Sequence, residues 1–232
     1  MPSLYYALDR DPNIGPHFGV KPYNRDWTAF HSLSKRVNLK ADLGWKEVTD
    51  LQKIICAADM WADFPAKGFT LVAAEFRPGD ENQRVDLLYL RNDGALLPAE
   101  LKIGGDAKDS HGQLIRYIAD LHFQPIDISW VRNHRNAFES KMKTDIRRTI
   151  TNAKFEKFID SNSLGDRFIR LLPKHGMLID ENFPPQMLKA VRYLNDCCGF
   201  SFQLLLIEAF VDDGWNPTQV DYIMRIDLTL LS

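Results

Sequence analysis

The amino-acid sequence predicts a single α/β domain, with a mixed β-sheet flanked by helices and a helical insertion. The chain has 232 residues, 45% of them apolar, which suits one domain with a sizeable core. Segments with helical spacing of apolar residues alternate with short apolar runs that are typical of strands. Glycine, proline and an Asn-Asp-Gly sequence fall between these segments, where turns are expected. We therefore expect one domain that spans residues 1–232.

Composition and charge exclude several classes of protein. The net charge of −2 argues against a uniformly basic nucleic-acid coat, although it is compatible with a local basic surface. No run of about 18 apolar residues occurs, so no membrane-spanning helix is predicted. The first residues lack the basic flank and apolar stretch of a secretory signal, and three cysteines cannot form a fully paired disulfide framework. We therefore expect a reduced, cytoplasmic protein without a membrane partner.

The first two segments of the chain differ in composition. Residues 1–44 are rich in proline, glycine and aromatic side chains, which is typical of an irregular arm, and one helix is predicted near 26–37. Residues 45–131 have the apolar patterns of the core of the domain. The elements predicted in this core are a helix from Trp45, strands at 69–76, 84–91 and 95–103, a helix at 111–121 and a fourth short strand at 126–131.

Residues 132–198 are predicted to be a helical insertion, and residues 199–232 to form two strands that close the sheet. The insertion is polar and shows helical rather than strand spacing over most of its length. The helices predicted in it lie around 137–159, near 167–172 and from Pro184-Pro185 to a C-terminal cap at Gly199.

The stretch from Arg84 to Lys102 has the pattern of a β-hairpin with polar side chains at its open end. The Asn-Asp-Gly sequence at 92–94 favours a three-residue loop, in which glycine supplies the residue with positive φ. Such a loop pairs residues whose numbers sum to 186, which places Asp86 directly opposite Glu100. A two-residue loop would shift the register by one and turn Asp86 to the other face. The turn type therefore predicts that Asp86, Glu100 and Lys102 share one face.

Two carboxylates that face each other across a hairpin repel unless a cation lies between them. Oxygen ligands with room for water suit Mg²⁺ or Mn²⁺. A neighbouring ammonium group can orient or deprotonate a water, or stabilise charge that develops on a phosphorane. A second Glu-x-Lys at 139–141 and an Asp-x-Lys at 106–108 fall outside apolar strands, so the context favours the hairpin. The hairpin residues indicate phosphodiester hydrolysis.

Short motifs follow one another over residues 44–121: Glu47-Val-Thr-Asp-Leu-Gln, Gly68-Phe-Thr-Leu-Val, Arg84-Val-Asp-Leu-Leu, Glu100-Leu-Lys102 and Gly112-Gln-Leu-Ile-Arg-Tyr117. In this order they resemble the PD-(D/E)XK nuclease superfamily, in its NucS/EndoMS-like and RecB-like branches. The last motif looks like the QxxxY helix of that branch. Val85 departs from the founding pattern, which has proline before the first aspartate. Pro98 is also unusual, because it removes a backbone donor from a strand expected to be central.

The resemblance implies a restriction-endonuclease-like fold and Mg²⁺-dependent or Mn²⁺-dependent hydrolysis of DNA, in repair or in restriction of foreign DNA. It implies that Asp86 and Glu100 hold the metal together with the backbone carbonyl of Leu101. Lys102 is implied as the catalytic lysine that assists the attacking water. The expected partners are DNA and a second copy of the chain, since many such enzymes dimerise to cut both strands.

The resemblance also implies roles on two helices. Gln113 and Tyr117 are four residues apart on one helical face, suited to organising the site or contacting phosphate. Arg116, on the same helix, is a further candidate for phosphate binding. Glu47 corresponds to the acid of the first helix, although Asp50 lies one turn further along the same face. The alternative interpretation of Gln113 and Tyr117 is a solvated helix face with the tyrosine packed on the sheet, and that of Glu47 is an ordinary acid on a helix surface.

The insertion contributes a basic region. Between residues 130 and 175 there are 11 Lys or Arg against 5 Asp or Glu. The functional interpretation is an arm that contacts phosphates and steers DNA to the metal site, and the alternative is a solvated helical surface. The candidate contacts are Arg132, Arg135, Arg147 and Arg148. Two alternatives to a DNA endonuclease stay open: a catalytically inactive nuclease-fold module that binds nucleic acid, and an RNA nuclease.

Overall fold

The computed structural model describes residues 3–9, 21–22, 33–47, 51–57, 68–77, 84–104, 109–124, 126–146, 152–165, 169–171, 174–214 and 221–231. Within them the chain forms ten β-strands and five α-helices, numbered here in chain order. The strands are β1 (Ser3–Asp9), β2 (Lys21–Pro22), β3 (Leu33–Val37), β4 (Phe69–Phe76), β5 (Val85–Arg91), β6 (Ala95–Leu101), β7 (Arg170–Leu171), β8 (His175–Asp180), β9 (Ser201–Asp212) and β10 (Asp221–Leu231). The helices are α1 (Gln52–Ala57), α2 (Ser110–His122), α3 (Ile128–Ile146), α4 (Asn152–Ser161) and α5 (Pro185–Cys198).

The strands form one mixed sheet in the order β2-β1-β10-β9-β8-β6-β5-β4, with β3 paired to β9 and β7 to β6. Strands β4, β5 and β6 are antiparallel, whereas β6, β8 and β9 are parallel. Parallel neighbours need crossover connections, which here contain α2, α3 and α4 before β8 and α5 after it. The predicted mixed sheet with flanking helices is confirmed. In the described part of the chain, no helix has the length and apolar character needed to cross a bilayer.

The hairpin of β5 and β6 has the predicted register. Leu87 pairs with Ala99, and every pair in this ladder sums to 186. Gly94 has φ 83°, which completes the three-residue loop as its lack of a side chain allows. The same register places Asp86 level with Glu100 at the open end of the hairpin. The local turn chemistry therefore aligns the two carboxylates.

Pro98 lies in the middle of the central strand β6 at a break in the neighbouring ladder. The parallel partner of β6 is β7 as far as Leu96 and becomes β8 from Ala99 onward. Pro98 falls between these two ladders, where a missing backbone donor interrupts no pairing on that side. The strand therefore keeps its central position despite the proline.

Both faces of β5 and β6 are covered, because their side chains are buried almost without alternation. Helix α2 packs on β6 and β8 through Leu114, Ile118 and Leu121, while α3 packs on β4. Helix α5 ends, as predicted, at Gly199, which has φ 68°. The polar ends of β5 and β6 consequently lie at the margin of the hydrophobic core.

The description of residues 1–44 as an irregular arm is wrong for β1, β2 and β3. Strand β1 pairs with β10 from Ser3–Asp227 to Asp9–Asp221. The helix predicted near 26–37 is also wrong over its last five residues, which form β3 on β9. These strands are stabilised by partners about 170 or more residues later, and strand propensity depends strongly on such partners.

Three predictions in the second half of the chain are corrected. The predicted strand at 126–131 is instead the start of α3, whose first turn is capped by the Asp127 Oδ1 atom, which accepts the Trp130 N–H at 2.6 Å. The insertion 132–198 is not wholly helical, because it contains β8, a buried parallel strand between β6 and β9. Arg170–Leu171 is the short strand β7 rather than part of a helix.

The predicted helix from Trp45 begins later than expected. Helix α1 spans Gln52–Ala57, and Trp45 is buried before it. The Leu51 N–H donates to the Lys46 carbonyl at 3.2 Å, a bond five residues back that forms a wide turn ahead of the helix. Asp50, the alternative first-helix acid, lies outside the described residues.

Arg135 on α3 anchors that helix to the sheet and does not face solvent. Its Nη1 donates to the Leu71 carbonyl of β4 at 2.7 Å. The guanidinium lies 5.6 Å from the ring centroid of Phe138 and 5.4 Å from that of Phe155. The expectation that Arg135 contacts DNA is therefore corrected, because its charged group is enclosed by the core.

Arg132 is engaged in a contact between two helices. Its Nη2 lies 2.9 Å from the Glu156 Oε2, and its Nε also donates to that carboxylate, so the pair links α3 to α4. This pairing reduces the charge that Arg132 presents to a phosphate. Arg147 and Arg148, the other candidates of the basic region, lie outside the described residues.

Replacement of the two arginines of α3 is expected to affect stability unequally. We expect Arg135→Ala to lower the free energy of unfolding by about 2–4 kcal/mol, because truncation empties a packed site and leaves a buried carbonyl without its donor. Arg132→Ala, which removes a half-exposed ion pair, is expected to cost less than about 1 kcal/mol. Urea denaturation followed by circular dichroism measures both. Equal losses in the two variants would contradict the assigned anchoring role.

Candidate functional site

Four polar residues meet at one end of three neighbouring strands. Because β4, β5 and β6 are antiparallel, the end of β4, the start of β5 and the end of β6 lie side by side. Glu75 comes from β4, Asp86 from β5, and Glu100 and Lys102 from β6 and the residue that follows it. Three acidic side chains and one basic side chain therefore lie together at this end of the strands.

Asp86 is buried at the start of β5 and is held by the neighbouring strand. Its Oδ2 accepts the backbone N–H of Leu101 at 2.9 Å. Burial raises the pKa of Asp86 to about 7, and repulsion from Glu100 adds to this increase. The Leu101 N–H and the Lys102 ammonium act in the opposite direction but do not compensate for it. Asp86 is therefore a carboxyl group that holds a proton far more readily than one in water.

Glu100 is 1% exposed and contacts Lys102 directly. The Lys102 Nζ atom lies 2.5 Å from the Glu100 Oε1 and 3.4 Å from the Glu47 Oε1. Burial raises the pKa of Glu100 and of Glu47, although Lys102 opposes the increase in both. Burial also disfavours the charged form of Lys102, but attraction to the carboxylates outweighs it and raises the Lys102 pKa. Lys102 is accordingly an ammonium group at neutral pH.

Helix α2 brings Tyr117 to the same carboxylate. Tyr117 is buried beside the Glu100 side chain, and burial together with the negative charge of Glu100 raises the pKa of Tyr117. Gln113 lies one helical turn earlier and is half-buried, whereas Arg116 is exposed. Of the roles expected for this helix, the contact of Tyr117 supports organisation of the site rather than contact with phosphate.

The structure thus brings together five predicted site residues. Glu47, Asp86, Glu100, Lys102 and Tyr117 interact as one cluster. Arg135, by contrast, lies inside the core on α3. Of the two candidate phosphate contacts that the structure describes, Arg135 is enclosed and Arg132 is paired with Glu156.

Two residues of the site were missed by the sequence analysis. The Nε2 of Gln52 donates to the Glu75 Oε1 at 2.9 Å and to the backbone carbonyl of Asp86 at 3.0 Å. The Glu75 Oε2 lies 2.5 Å from the Arg84 Nη1. Gln52 ends the first motif of the resemblance, which gave a signal for its position but none for its contacts. Glu75 had no signal, because its place depends on an irregular register of β4.

The donor set of the site fits a hard divalent cation. Asp86 and Glu100 offer carboxylate oxygens that are buried at the open end of the hairpin. The Leu101 N–H points to Asp86, so its carbonyl is on the same side of β6, as the two groups of one strand residue are. Oxygen donors of this kind suit Mg²⁺ and Mn²⁺. No group of three or more His, Cys, Asp or Glu side chains in metal-binding geometry occurs among the described residues, and the predicted set has only two such side chains.

Comparisons of the chain with protein-family models, with curated proteins and with solved structures found no match.

The raised pKa of Asp86 predicts how stability depends on pH in the absence of divalent cations. The folded state binds a proton at Asp86 more tightly than the unfolded chain, whose ordinary value is 3.8. The folded state therefore holds more protons between about pH 4 and 7, and the contribution of Asp86 to stability falls as the pH rises through this range. We expect Asp86→Asn to gain stability relative to the wild type as the pH rises, measured by urea denaturation in EDTA. A difference that is independent of pH would contradict this.

Proposed function

We propose that the protein is a metal-dependent DNA endonuclease that hydrolyses phosphodiester bonds on a restriction-endonuclease-like fold. The observation that carries the proposal is the buried pair of carboxylates, Asp86 and Glu100, with the Lys102 ammonium against it. Burial of two acidic groups side by side costs free energy unless a proton or a cation is shared between them. A phosphodiesterase site has a use for such a pair, whereas the fold alone does not.

The residues of this chain have distinct roles in the proposed reaction. Asp86, Glu100 and the Leu101 carbonyl would hold Mg²⁺ or Mn²⁺, which supplies a Lewis acid for a phosphoryl oxygen when it is bound. Lys102 orients the attacking water and stabilises negative charge on the phosphorane. Because the pKa of Lys102 is raised, it acts through its charge rather than as a base at neutral pH.

Two neighbours hold the catalytic groups in place. Tyr117 lies against Glu100 from α2, and the Glu47 Oε1 lies 3.4 Å from the Lys102 Nζ. Both contacts limit the rotation of long side chains that would otherwise lose more conformational freedom on binding. Glu47 and Tyr117 are therefore proposed to position Lys102 and Glu100 before the substrate binds.

Positively charged side chains around the site favour the proposal that the substrate is a polyanion. The positive charge of Arg84 opposes the increase in the pKa of Glu47, and that of Arg116 opposes the increase in the pKa of Tyr117. Both guanidinium groups therefore lie near the cluster. The Lys40 side chain runs against Gly104, two residues after Lys102. Arg116 and Lys40 are exposed. Cations around a phosphodiesterase site attract the phosphate backbone and make binding dependent on salt.

The proposal predicts cleavage of DNA that depends on the cluster. We expect purified wild type to cut at least one member of a panel of single-stranded, duplex, branched and mismatched DNA in Mg²⁺ or Mn²⁺, and to be inactive in EDTA. Asp86→Asn, Glu100→Gln and Lys102→Ala are each expected to lower kcat/KM by about a hundredfold or more. Mn²⁺ binding is expected to be lost in Glu100→Gln and retained in Lys102→Ala.

The matched control is Asp196→Asn. This carboxylate pairs with Arg192 on the exposed face of α5, a helix that packs on β9 and contributes no residue to the site, and its neutralisation should leave activity unchanged. Equal cleavage by the wild type and all variants would assign the activity to a contaminant. Binding of labelled DNA without cleavage would favour an inactive nucleic-acid-binding module, and cleavage of RNA oligonucleotides alone would favour an RNA nuclease.

A further inference from the structure

An irregularity in β4 places a third carboxylate beside the pair. The paired residues of β4 and β5 sum to 160 as far as Leu71 and to 161 from Ala73 onward, so Val72 is an extra residue in β4. The shift brings Glu75 level with Asp86, whereas the earlier register would place Ala74 there. Glu75, Asp86 and Glu100 therefore occupy corresponding positions on three adjacent strands.

The backbone of Glu75 has a conformation that its side chain disfavours. Its φ is 55°, in the left-handed region that L-residues with a Cβ rarely occupy. The side chain is 13% exposed and contacts Arg84 and Gln52. A glycine would adopt the same φ without strain. Strain of this kind persists where surrounding contacts enforce it, and it is concentrated at functional sites.

Gln52 joins this residue to the backbone of the metal-ligand strand. The amide is buried on α1, and its single Nε2 atom donates both to Glu75 and to the Asp86 carbonyl. One side chain therefore connects helix α1, strand β4 and strand β5 at the position of Asp86. Displacement of this amide would remove the side-chain hydrogen bond that holds the start of β5.

We propose that Gln52 and Glu75 are positioning residues that hold Asp86 level with Glu100 for cation binding. Glu75 fixes the Gln52 amide through its Oε1, and the amide fixes the Asp86 backbone. Groups that orient metal ligands commonly change metal affinity by 10-fold to 100-fold when they are removed. The inference rests on the proposed metal-dependent nuclease function. It assigns a positioning role to Gln52 and Glu75, which are not among the proposed metal ligands or catalytic groups.

The test compares metal affinity with stability. Mn²⁺ binding to the full chain is followed by the electron paramagnetic resonance signal of free Mn²⁺, and melting temperatures are measured without metal. We expect Gln52→Leu and Glu75→Gly to raise the Mn²⁺ Kd about tenfold or more and to lower kcat without raising KM for DNA. The melting temperature of Glu75→Gly is expected to be unchanged or higher, because glycine relieves the strained φ. Glu75→Gln keeps an oxygen for the Gln52 amide and should recover most of the Mn²⁺ affinity.

The matched control is Asn195→Leu. The Asn195 amide also bridges a helix to a strand backbone, since it donates to the Phe202 carbonyl at 3.0 Å and accepts the Phe202 N–H at 2.9 Å. It joins α5 to β9, which is separated from β6 by β8, so its loss should lower the melting temperature and leave Mn²⁺ affinity unchanged.

The outcomes separate this inference from the proposed function. If the wild type binds Mn²⁺ and cuts DNA while Gln52→Leu and Glu75→Gly bind Mn²⁺ equally well, the positioning role is overturned and the nuclease proposal stands. If Glu75→Gln is as impaired as Glu75→Gly, the effect arises from charge and positioning by Glu75 is again overturned. If the wild type neither binds Mn²⁺ nor cuts, both proposals fail together.

Discussion

The repulsion between Asp86 and Glu100 is the constraint around which this end of the molecule is organised. Both carboxylates are buried and lie opposite each other across one hairpin. Burial raises the pKa of both carboxyl groups, and repulsion from Glu100 raises the pKa of Asp86 further. Lys102 and the Leu101 N–H compensate for part of this cost. The remaining imbalance favours the protonated form of the pair, and it is the physical basis of the proposed cation site.

The parts of the fold that were predictable from sequence are those with local causes. The hairpin register followed from three loop residues, and Gly199 ended α5 as its neighbouring pattern indicated. The failures had non-local causes. Strand β8 pairs with β6, which lies 78 residues earlier in the chain, and β3 depends on β9. An apolar run buried on both faces has no alternation by which a strand is recognised.

The residues of the candidate site likewise divide into those with a local signal in the sequence and those without one. Asp86, Glu100 and Lys102 were found from their spacing on one hairpin, and Tyr117 from its place in the following helix. Glu75 was missed because a one-residue shift within β4 decides its position, and no residue type marks that shift. Arg135 was assigned to DNA because formal charge does not distinguish an exposed guanidinium from one packed between aromatic rings.

The mixed topology of the sheet has a consequence for the order of folding. The carboxylates belong to a hairpin, whose contacts have small sequence separation, whereas β8 joins β6 through pairs such as Ala99–Met177, 78 residues apart. Contacts of low separation cost less chain entropy and tend to form earlier. We therefore expect the two acidic groups to approach each other while still hydrated, and to lose their water only when β8 and its helices dock. The electrostatic cost would then slow the late docking step rather than formation of the hairpin, and a divalent cation would accelerate the same step.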